Sequence, residues 1–186
     1  MAKQQRISPV GVDKVIAAFQ DYLYSTAKID GVLISDWESY DRVYKNPKAA
    51  SGSALIPEHF TGGKDYQEVF YNDNFSLTSF FIMDEDSDFD NGQMIADVSL
   101  IFQANLDELY PAIAHRADEE LRNLFIHLSQ KYYRFDSFQF INLETTIDSV
   151  YREFERNQIR LEDMSEKHCF RLNYEVRYTP ECCTDC

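Results

Sequence analysis

Several features that mark common protein classes are missing from this sequence of 186 residues. Its first apolar stretch, from Val10 to Leu23, is interrupted by charged and amide side chains, so we expect neither a secretion signal nor a membrane span. The main phosphate-loop, dinucleotide-binding, nucleophile-elbow and zinc-protease motifs are also absent. Gly62-Gly63-Lys64 resembles a phosphate loop but lacks its first glycine and the following hydroxyl. We therefore expect no catalytic residues, no enzyme activity and no cofactor.

Basic residues are scarce. The chain has 18 Lys and Arg against 32 Asp and Glu, which gives a formal net charge of −14. Affinity for nucleic acid comes mainly from basic groups that neutralise phosphates, so this charge argues against an ordinary DNA-binding module. It remains compatible with a protein that DNA passes without binding.

Cysteine is too rare and too unevenly placed for a disulfide framework. Cys169 lies on a predicted strand, whereas Cys182, Cys183 and Cys186 crowd the last five positions. This distribution favours a reducing compartment. The cysteines could hold zinc together with His168 or Cys169, but their spacing matches no zinc knuckle, and free thiols on a tail are the favoured interpretation.

The strongest structural signal is the stretch from Gln93 to Leu106. Apolar residues alternate there with mainly polar ones, a pattern typical of a strand in an antiparallel sheet with one solvated face. At about 3.4 Å per residue the strand exceeds 40 Å, far longer than the usual strand. Its length predicts a hairpin arm that reaches beyond its own domain.

Helical periodicity appears in three segments. Pro9 to Tyr24 is predicted as an amphipathic helix with Ser8 as its cap. Ala117 to Tyr133 is predicted as a second helix, with acidic residues in its first turn and basic residues at its end. Thr145 to Arg156 is predicted as a third helix capped by Thr145 or Thr146, and a shorter helical piece precedes Pro111.

The remaining segments are predicted as strands and loops. Glu38 to Asp65 has no period and contains several prolines and glycines, so we expect an extended, locally basic loop. Further strands are predicted at Ile29–Ile34, Tyr66–Tyr71, Phe75–Met83, Phe138–Leu143 and His168–Tyr178. The order of elements predicts an α+β fold, with a mainly antiparallel sheet that has a long β-hairpin and is packed by helices on one side. Residues 1–180 would form one domain with an extended loop at 38–65, followed by a Cys-rich tail at 181–186.

Acidic residues concentrate in the segment from Asp84 to Gly92, the predicted hairpin tip. Its alternating aspartates resemble a calcium loop, but Asn91 replaces the expected glycine and strands flank the segment. A solvated tip or a charged interface is therefore favoured, and we expect no metal site. The candidate subunit interface combines the basic loop, the acidic tip and apolar groups on the outer sheet face: Arg42, Lys45, Lys48, Lys64, Tyr71, Phe80, Ile82, Asp84, Asp86, Asp88 and Asp90.

The order of predicted elements and the residue patterns of the chain resemble those of the neck and tail-completion proteins of tailed bacteriophages, the tail-terminator-like ring proteins. The similarity is carried mainly by L-I-F-Q-A-N-L-D-E-L-Y, by D-E-E-L-R-N-L-F and by the closing F-R-L-N-Y-E-V-R-Y. The third helix and the cysteine tail depart from the family pattern. The resemblance implies a virion protein, assembled in the host cytoplasm, that forms a ring of six or twelve copies at the head-to-tail junction. Such a ring would contact other neck, portal or tail proteins, and DNA would pass through its lumen without specific binding.

A second class of function also fits the sequence. A small acidic intracellular adaptor or binding module, without catalytic activity, could use its aromatic-rich strands to hold a partner. Mass in solution would separate the two hypotheses, because an adaptor that remains monomeric at high concentration cannot be a ring subunit.

Overall fold

The computed structural model describes residues 2–47, 55–63, 65–69, 74–132, 137–154 and 167–180. Its helices and strands, in chain order, are β1 (Ala2–Gln4), α1 (Val12–Thr26), β2 (Lys28–Ile29), β3 (Val32–Leu33), β4 (Trp37–Pro47), β5 (Leu55–Gly62), β6 (Asp65–Glu68), β7 (Leu77–Asp90), β8 (Gln93–Asn105), α2 (Leu106–Leu109), α3 (Asp118–Lys131), β9 (Phe138–Glu144), α4 (Ile147–Val150) and β10 (Lys167–Tyr178). The predicted α+β class with a mainly antiparallel sheet is confirmed.

Most strands join one eight-stranded sheet in the order β6-β5-β4-β7-β8-β10-β9, with β1 alongside β4. The β4–β7 and β1–β4 pairs are parallel, and the other pairs in this sheet are antiparallel. β2 and β3 form a separate two-stranded hairpin. Within the described residues the sheet is open: β6 and β9 end the strand order, and β1 is paired only with β4.

The predicted long hairpin is confirmed as β7–β8, which lies at the centre of the sheet. Its turn consists of Asn91 and Gly92, with φ of 50° and 83°. Two positive φ values in a two-residue loop match the right-handed twist of the flanking strands. The pairing of β7 with β4 ends at Ile82, whereas β8 pairs with β10 as far as Met94. The part that extends beyond the neighbouring strands is therefore much shorter than the predicted arm.

Helices α1 and α3 cover one face of the sheet, called here the helix face. Aromatic rings join the layers: the Phe19 ring from α1 lies 4.4 Å from that of Phe138, and the Phe125 ring from α3 lies 4.1 Å from that of Phe102. Complete burial of an aromatic or large aliphatic side chain contributes about 1.5–3 kcal/mol. This face supplies the main hydrophobic core.

The opposite face is covered by Thr146–Phe154, called here the strap, which contains α4 and the turn after it. Val150, Tyr151 and Phe154 pack there on apolar groups from β4, β7 and β8. The prediction that the long strand has one solvated face is therefore wrong over Val98–Ala104, where residues on both faces are buried. Only the N-terminal part of β8 retains exposed polar residues, Gln93 and Asp97.

Several predicted boundaries also need correction. The segment predicted as a loop from Glu38 to Asp65 instead contains β4 and β5. The alternation was hidden because residues 37–41 are all buried and β4 has a bulge at Asp41. The first helix starts after Gly11, not at Ser8-Pro9. The Ile29–Ile34 strand is the β2–β3 hairpin, and the third helix is only one turn long.

Candidate functional site

A bulge in β4 brings together the most unusual group of polar side chains in the described part of the chain. Tyr40 pairs with Phe80 and Arg42 pairs with Phe81, so Asp41 is an extra residue on β4. Its buried carboxylate accepts a hydrogen bond from the backbone N–H of Arg6 at 2.7 Å. Such bulges redirect side chains locally, and here the bulge joins β4 to the N-terminal segment.

The second oxygen of the Asp41 carboxylate binds a histidine. Its Oδ1 lies 2.7 Å from Nε2 of His59, and both residues are buried. The two residues are far apart in sequence and meet because Val43 on β4 pairs with His59 on β5. Among the described contacts, Asp41 is the hydrogen-bonding partner of this imidazole. The carboxylate therefore holds the ring in a fixed orientation.

Asp13, in the first turn of α1, binds two arginines. Its Oδ2 lies 2.6 Å from Nη1 of Arg6, and its Oδ1 lies 2.9 Å from Nε of Arg42. Burial raises the pKa of Asp13 despite the nearby charges of Arg42 and Arg6, and burial also lowers the pKa of Arg42. The ring of Tyr44 lies within 5.0 and 5.1 Å of the two guanidinium carbons. Aromatic faces attract such cations, which further fixes both arginines.

A cleft of about 410 Å³ opens beside this group, between residues 4–10 and the end of β5. Asp13 and His59 contribute to its lining, and Ile7, Val10 and Phe60 supply apolar surface. Its size lies within the range of small-ligand sites. The charged groups at its base pair with one another inside the chain. The arrangement can bind a ligand or a peptide side chain, and no described hydrogen bond connects His59 to a nucleophile.

A second buried polar group lies under the strap. Arg171 on β10 is fully buried and donates from Nη1 to Oε2 of Glu153 at 2.6 Å. Its Nε donates to Oδ1 of Asn173 at 2.8 Å. Nearby, Nε2 of Gln103 donates to the Tyr151 hydroxyl at 2.6 Å. These bonds attach the strap to β8 and β10, so this group has a structural role.

The predicted interface residues do not form one exposed surface. Phe80 and Ile82 are 0% and 1% exposed beneath the strap of the same chain, so their prediction as outer-face interface groups is wrong. Long-range packing of residues 146–154 covers them, and the ring of Phe80 lies 6.4 Å from that of Phe154. Arg42 is likewise bound internally by Asp13. Sequence periodicity alone could not show this cover.

The charged groups of the predicted interface are partly paired within the chain. Nζ of Lys45 lies 3.9 Å from Oδ1 of Asp84, so the predicted attraction between the basic segment and the acidic segment occurs inside one subunit at this point. Asp90 approaches Nη1 of Arg177 at 3.8 Å, and Asp88 is exposed. The acidic segment is a strand of the hairpin and not a loop. Lys48, Lys64, Tyr71 and the Asp86 side chain lie outside the described residues.

The metal and zinc alternatives can be examined only where side chains are described. Within that part of the chain, no group of three or more His, Cys, Asp or Glu side chains is arranged to hold a metal ion. Burial raises the pKa of the Cys169 thiol to about 11 and lowers the pKa of His168 to about 4. The terminal cysteines at 182, 183 and 186 lie outside the described residues.

Sequence reasoning missed the Asp41–His59 and Asp13–Arg6–Arg42 groups. Asp13 has the sequence signature of an acidic residue in a first helical turn, which is usually solvated. No local pattern joins Asp41 to His59, since strand pairing brings them together. Two turns did have a clear signal: Asp30-Gly31 and Asn91-Gly92 are dipeptides typical of hairpins.

Comparisons with known proteins identify no relative of this chain. Among the described residues, no helix is both long and apolar enough to cross a membrane. No protein-family model, curated protein or solved structure matches the chain.

Proposed function

We propose that the chain is a ring-forming structural subunit of the head-to-tail connector, neck or tail terminator of a tailed bacteriophage. The supporting observation is the open sheet, whose two edges differ in chemistry. Edge strand β6 is exposed along its whole length and carries Asp65 and Glu68, whereas β9 is uncharged except for Glu144 at its end. Sheet edges left open in a single chain are available for contacts with other chains.

A ring requires contact between two different surfaces of its subunits. A closed ring forms when one surface of a subunit contacts a different surface of the next subunit and the rotation closes. A symmetric dimer instead uses the same patch twice. The differences between the two edges favour repeated head-to-tail contacts over a two-fold dimer, and the resemblance to phage ring proteins supports the same choice.

The charge of the protein supports a DNA channel without DNA binding. The net charge is −14, and the exposed part of the hairpin includes Asp88 and Asp90. Basic groups along a channel would bind phosphates and retard the passage of DNA. We propose that the lumen is predominantly acidic, with neighbouring neck, portal or tail proteins above and below the ring.

The polar group around Asp13 and Asp41 also supports a structural role. Each carboxylate is bound by cationic or N–H donors from another element of the same chain. The contacts attach the N-terminal segment to α1, β4 and β5. Such a self-contained group is suited to holding the fold together during assembly.

The test is to locate the chain in assembled particles. Particles made with an affinity-tagged copy should show one labelled ring at the junction between head and tail by electron microscopy. Particles made without the chain should accumulate as unjoined heads and tails. Assembled particles that lack the chain and still join normally would contradict the proposal.

The cleft beside residues 4–10 favours a second candidate, an acidic binding module. Its volume and its exposed apolar rim are suited to part of a partner protein. An adaptor of this kind would remain monomeric at high concentration and would be absent from particles. Altering the cleft should abolish partner binding by an adaptor, whereas only the ring subunit predicts self-assembly of the wild-type chain.

A further inference from the structure

Residues 2–6, which contain β1, are called here the β1 segment. Ala2–Gln4 pair in parallel with Glu38–Tyr40 on β4. The backbone N–H of Arg6 then donates to the Asp41 carboxylate at the β4 bulge, at 2.7 Å. On this side the segment is held by strand pairing and by one carboxylate. A second strand of the same sequence could make all of these contacts.

Side chains attach the β1 segment to α1. Lys3 forms an ion pair with Asp21, and Nε2 of Gln5 donates to the same carboxylate at 2.9 Å. Nη1 of Arg6 lies 2.6 Å from Oδ2 of Asp13. Residues 2–6 are all exposed or half-buried. Detaching the segment would therefore expose little apolar surface, and the core between α1 and the sheet would stay intact.

The link between the β1 segment and α1 has a backbone conformation that its sequence disfavours. Ser8 has φ of 56°, a left-handed value that strains a residue with a side chain. Pro9 follows, and a residue before proline favours extended backbone with φ of about −120°. An extended Ser8 would relieve the strain. Such a large change in φ redirects the preceding chain, so the β1 segment would leave its own α1.

The surface that the segment leaves would need the same donors again. Asp13 and Asp41 are 5% and 1% exposed, and each would lose a donor that Arg6 supplies. Removing a hydrogen-bond donor from a buried carboxylate is costly. The β1 segment of a second copy carries the identical strand and the identical arginine. A second copy of this chain is therefore the partner whose fit to this surface is already shown by the contacts within one chain.

The length of the segment sets how close the neighbour must be. Residues 2–7 span about 20 Å when extended. The α1 and β4 of the adjacent copy must therefore lie within that distance of Ser8. Each copy would give its β1 segment and receive another at a different surface. This is the head-to-tail contact of a ring, and exchange of an identical element between copies is a low-cost route to assembly.

We propose that, in the assembled ring, the β1 segment of each copy leaves its own α1 and occupies the same surface on the next copy. The inference rests on the proposed ring function and names the element that links neighbours. Arg6 of one copy binds Asp13 and Asp41 of the next. Relief of the strained link favours exchange, whereas the loss of translational freedom on association opposes it. Exchange therefore accompanies assembly as the protein concentration rises.

The first experiment detects exchange in the wild-type chain. Normal and heavy-nitrogen chains are mixed in equal amounts before assembly and then treated with a carbodiimide, which joins a lysine to a carboxylate in direct contact. Mass spectrometry identifies the isotopes in the Lys3–Asp21 cross-link. Random exchange around a ring predicts that about half of these cross-links join a normal peptide to a heavy one. A segment that stays on its own chain predicts none.

The outcomes separate the inference from the proposed function. Rings that contain only same-isotope Lys3–Asp21 cross-links, or no such cross-link, would overturn the inference and leave the ring function standing. A chain that is monomeric at every concentration would overturn the proposed function and the inference with it. Mixed-isotope cross-links in a closed dimer would support exchange and overturn the ring.

The second experiment tests the link by comparing Ser8→Gly with Asn91→Gly. Glycine adopts positive φ without strain, so Ser8→Gly should favour the segment on its own chain and weaken self-association about fivefold. Asn91→Gly is the matched control, because Asn91 has φ of 50° in the β7–β8 turn, outside the β1 segment. It should assemble like the wild type in sedimentation velocity. Equal self-association of Ser8→Gly and the wild type would overturn the strained link as the driving force of exchange.

Discussion

Arg171 and Glu153 form a buried ion pair across the junction between the sheet and the strap, with Nη1 donating to Oε2 at 2.6 Å. The arginine is 0% exposed, and the carboxylate side chain is 10% exposed. Removing one partner of a buried pair is far more damaging than replacing both, because it leaves an unpaired charge inside the protein. Weakening this ion pair therefore tests whether the strap covers Phe80 and Ile82.

Glu153→Gln should lower the free energy of unfolding by roughly 3–5 kcal/mol. Glu175→Gln is the matched control, because Glu175 pairs with Arg177 at a partly exposed position, and it should cost no more than about 1 kcal/mol. Denaturant titration measures both. Combining Glu153→Gln with Arg171→Met should recover most of the loss. Equal losses for Glu153→Gln and Glu175→Gln would contradict the buried-pair account.

The pKa of Glu153 adds a pH dependence. Burial by itself would raise this pKa, but hydrogen bonding and the charges of Arg171 and Arg152 together lower it from 4.5. A carboxyl with a lowered folded pKa contributes stability above its unfolded pKa and loses it as pH falls through the folded pKa. Acid titration should therefore unfold the wild type in part through this group, and Glu153→Gln should show a weaker acid dependence below pH 4.5.

Protonation of His168 should reduce the stability of the folded state as pH falls from 6.5 to about 4, a higher pH range than that of Glu153. Burial, followed by the charge of Arg122, lowers the pKa of His168 from 6.5 to about 4. Between these values the unfolded chain binds a proton that the folded chain does not bind, so stability falls as pH is lowered. The full effect is about 3 kcal/mol. Unfolding titrations at pH 7 and pH 4.5 should show this loss in the wild type and a smaller loss in His168→Leu. Equal pH dependence in both proteins would contradict the buried, neutral imidazole.

The turn of the central hairpin gives a backbone prediction. Gly92 has φ of 83°, where a side chain is strained, whereas Asn91 has φ of 50°. Gly92→Ala should lower the free energy of unfolding by about 1 kcal/mol, because alanine adopts positive φ poorly. Asn91→Gly is the control and should cost less. Thermal unfolding of the two variants measures the difference, and an unchanged Gly92→Ala protein would exclude this turn conformation.

The acidic strand of the hairpin supplies a prediction about assembly. Replacing Asp86, Asp88 and Asp90 by asparagine should leave the monomer stable within about 1 kcal/mol, since Asp88 is exposed and the Asp90–Arg177 pair is also exposed. Assembly should become slower and less dependent on salt if these carboxylates orient neighbouring subunits. Unchanged assembly at low and high salt would show that the segment is only a solvated strand end.

Strongly periodic elements could be predicted from the sequence, whereas a buried strand that carries polar residues could not. The α3 stripe and the alternation along β8 and β10 predict their type and approximate limits correctly, although Val98–Ala104 of β8 is buried on both faces. β4 was missed because Glu38, Ser39 and Asp41 are buried polar residues whose partners lie elsewhere in the fold. Because these residues are polar, the sequence of this strand resembles that of a loop. Local sequence contains no information about such distant partners.

The candidate site was even less predictable. Arg42 is predicted as an interface residue because it is charged and lies in a segment predicted as a loop, yet its partner Asp13 comes from α1. Phe80 and Ile82 are predicted as interface groups on the outer sheet face, but the apolar groups that cover them belong to the strap of the same chain. Sequence could identify that this face needs cover. It could not identify which segment supplies the cover.

The most direct test of the central claim is the mass of the purified chain in solution, measured by analytical ultracentrifugation over a wide concentration range and paired with negative-stain electron microscopy. The account predicts a closed ring of uniform size, at six or twelve times the 21.8 kDa of one chain, with a central channel. A protein that remains a 21.8 kDa monomer at every concentration, with no ring in the images, would contradict it.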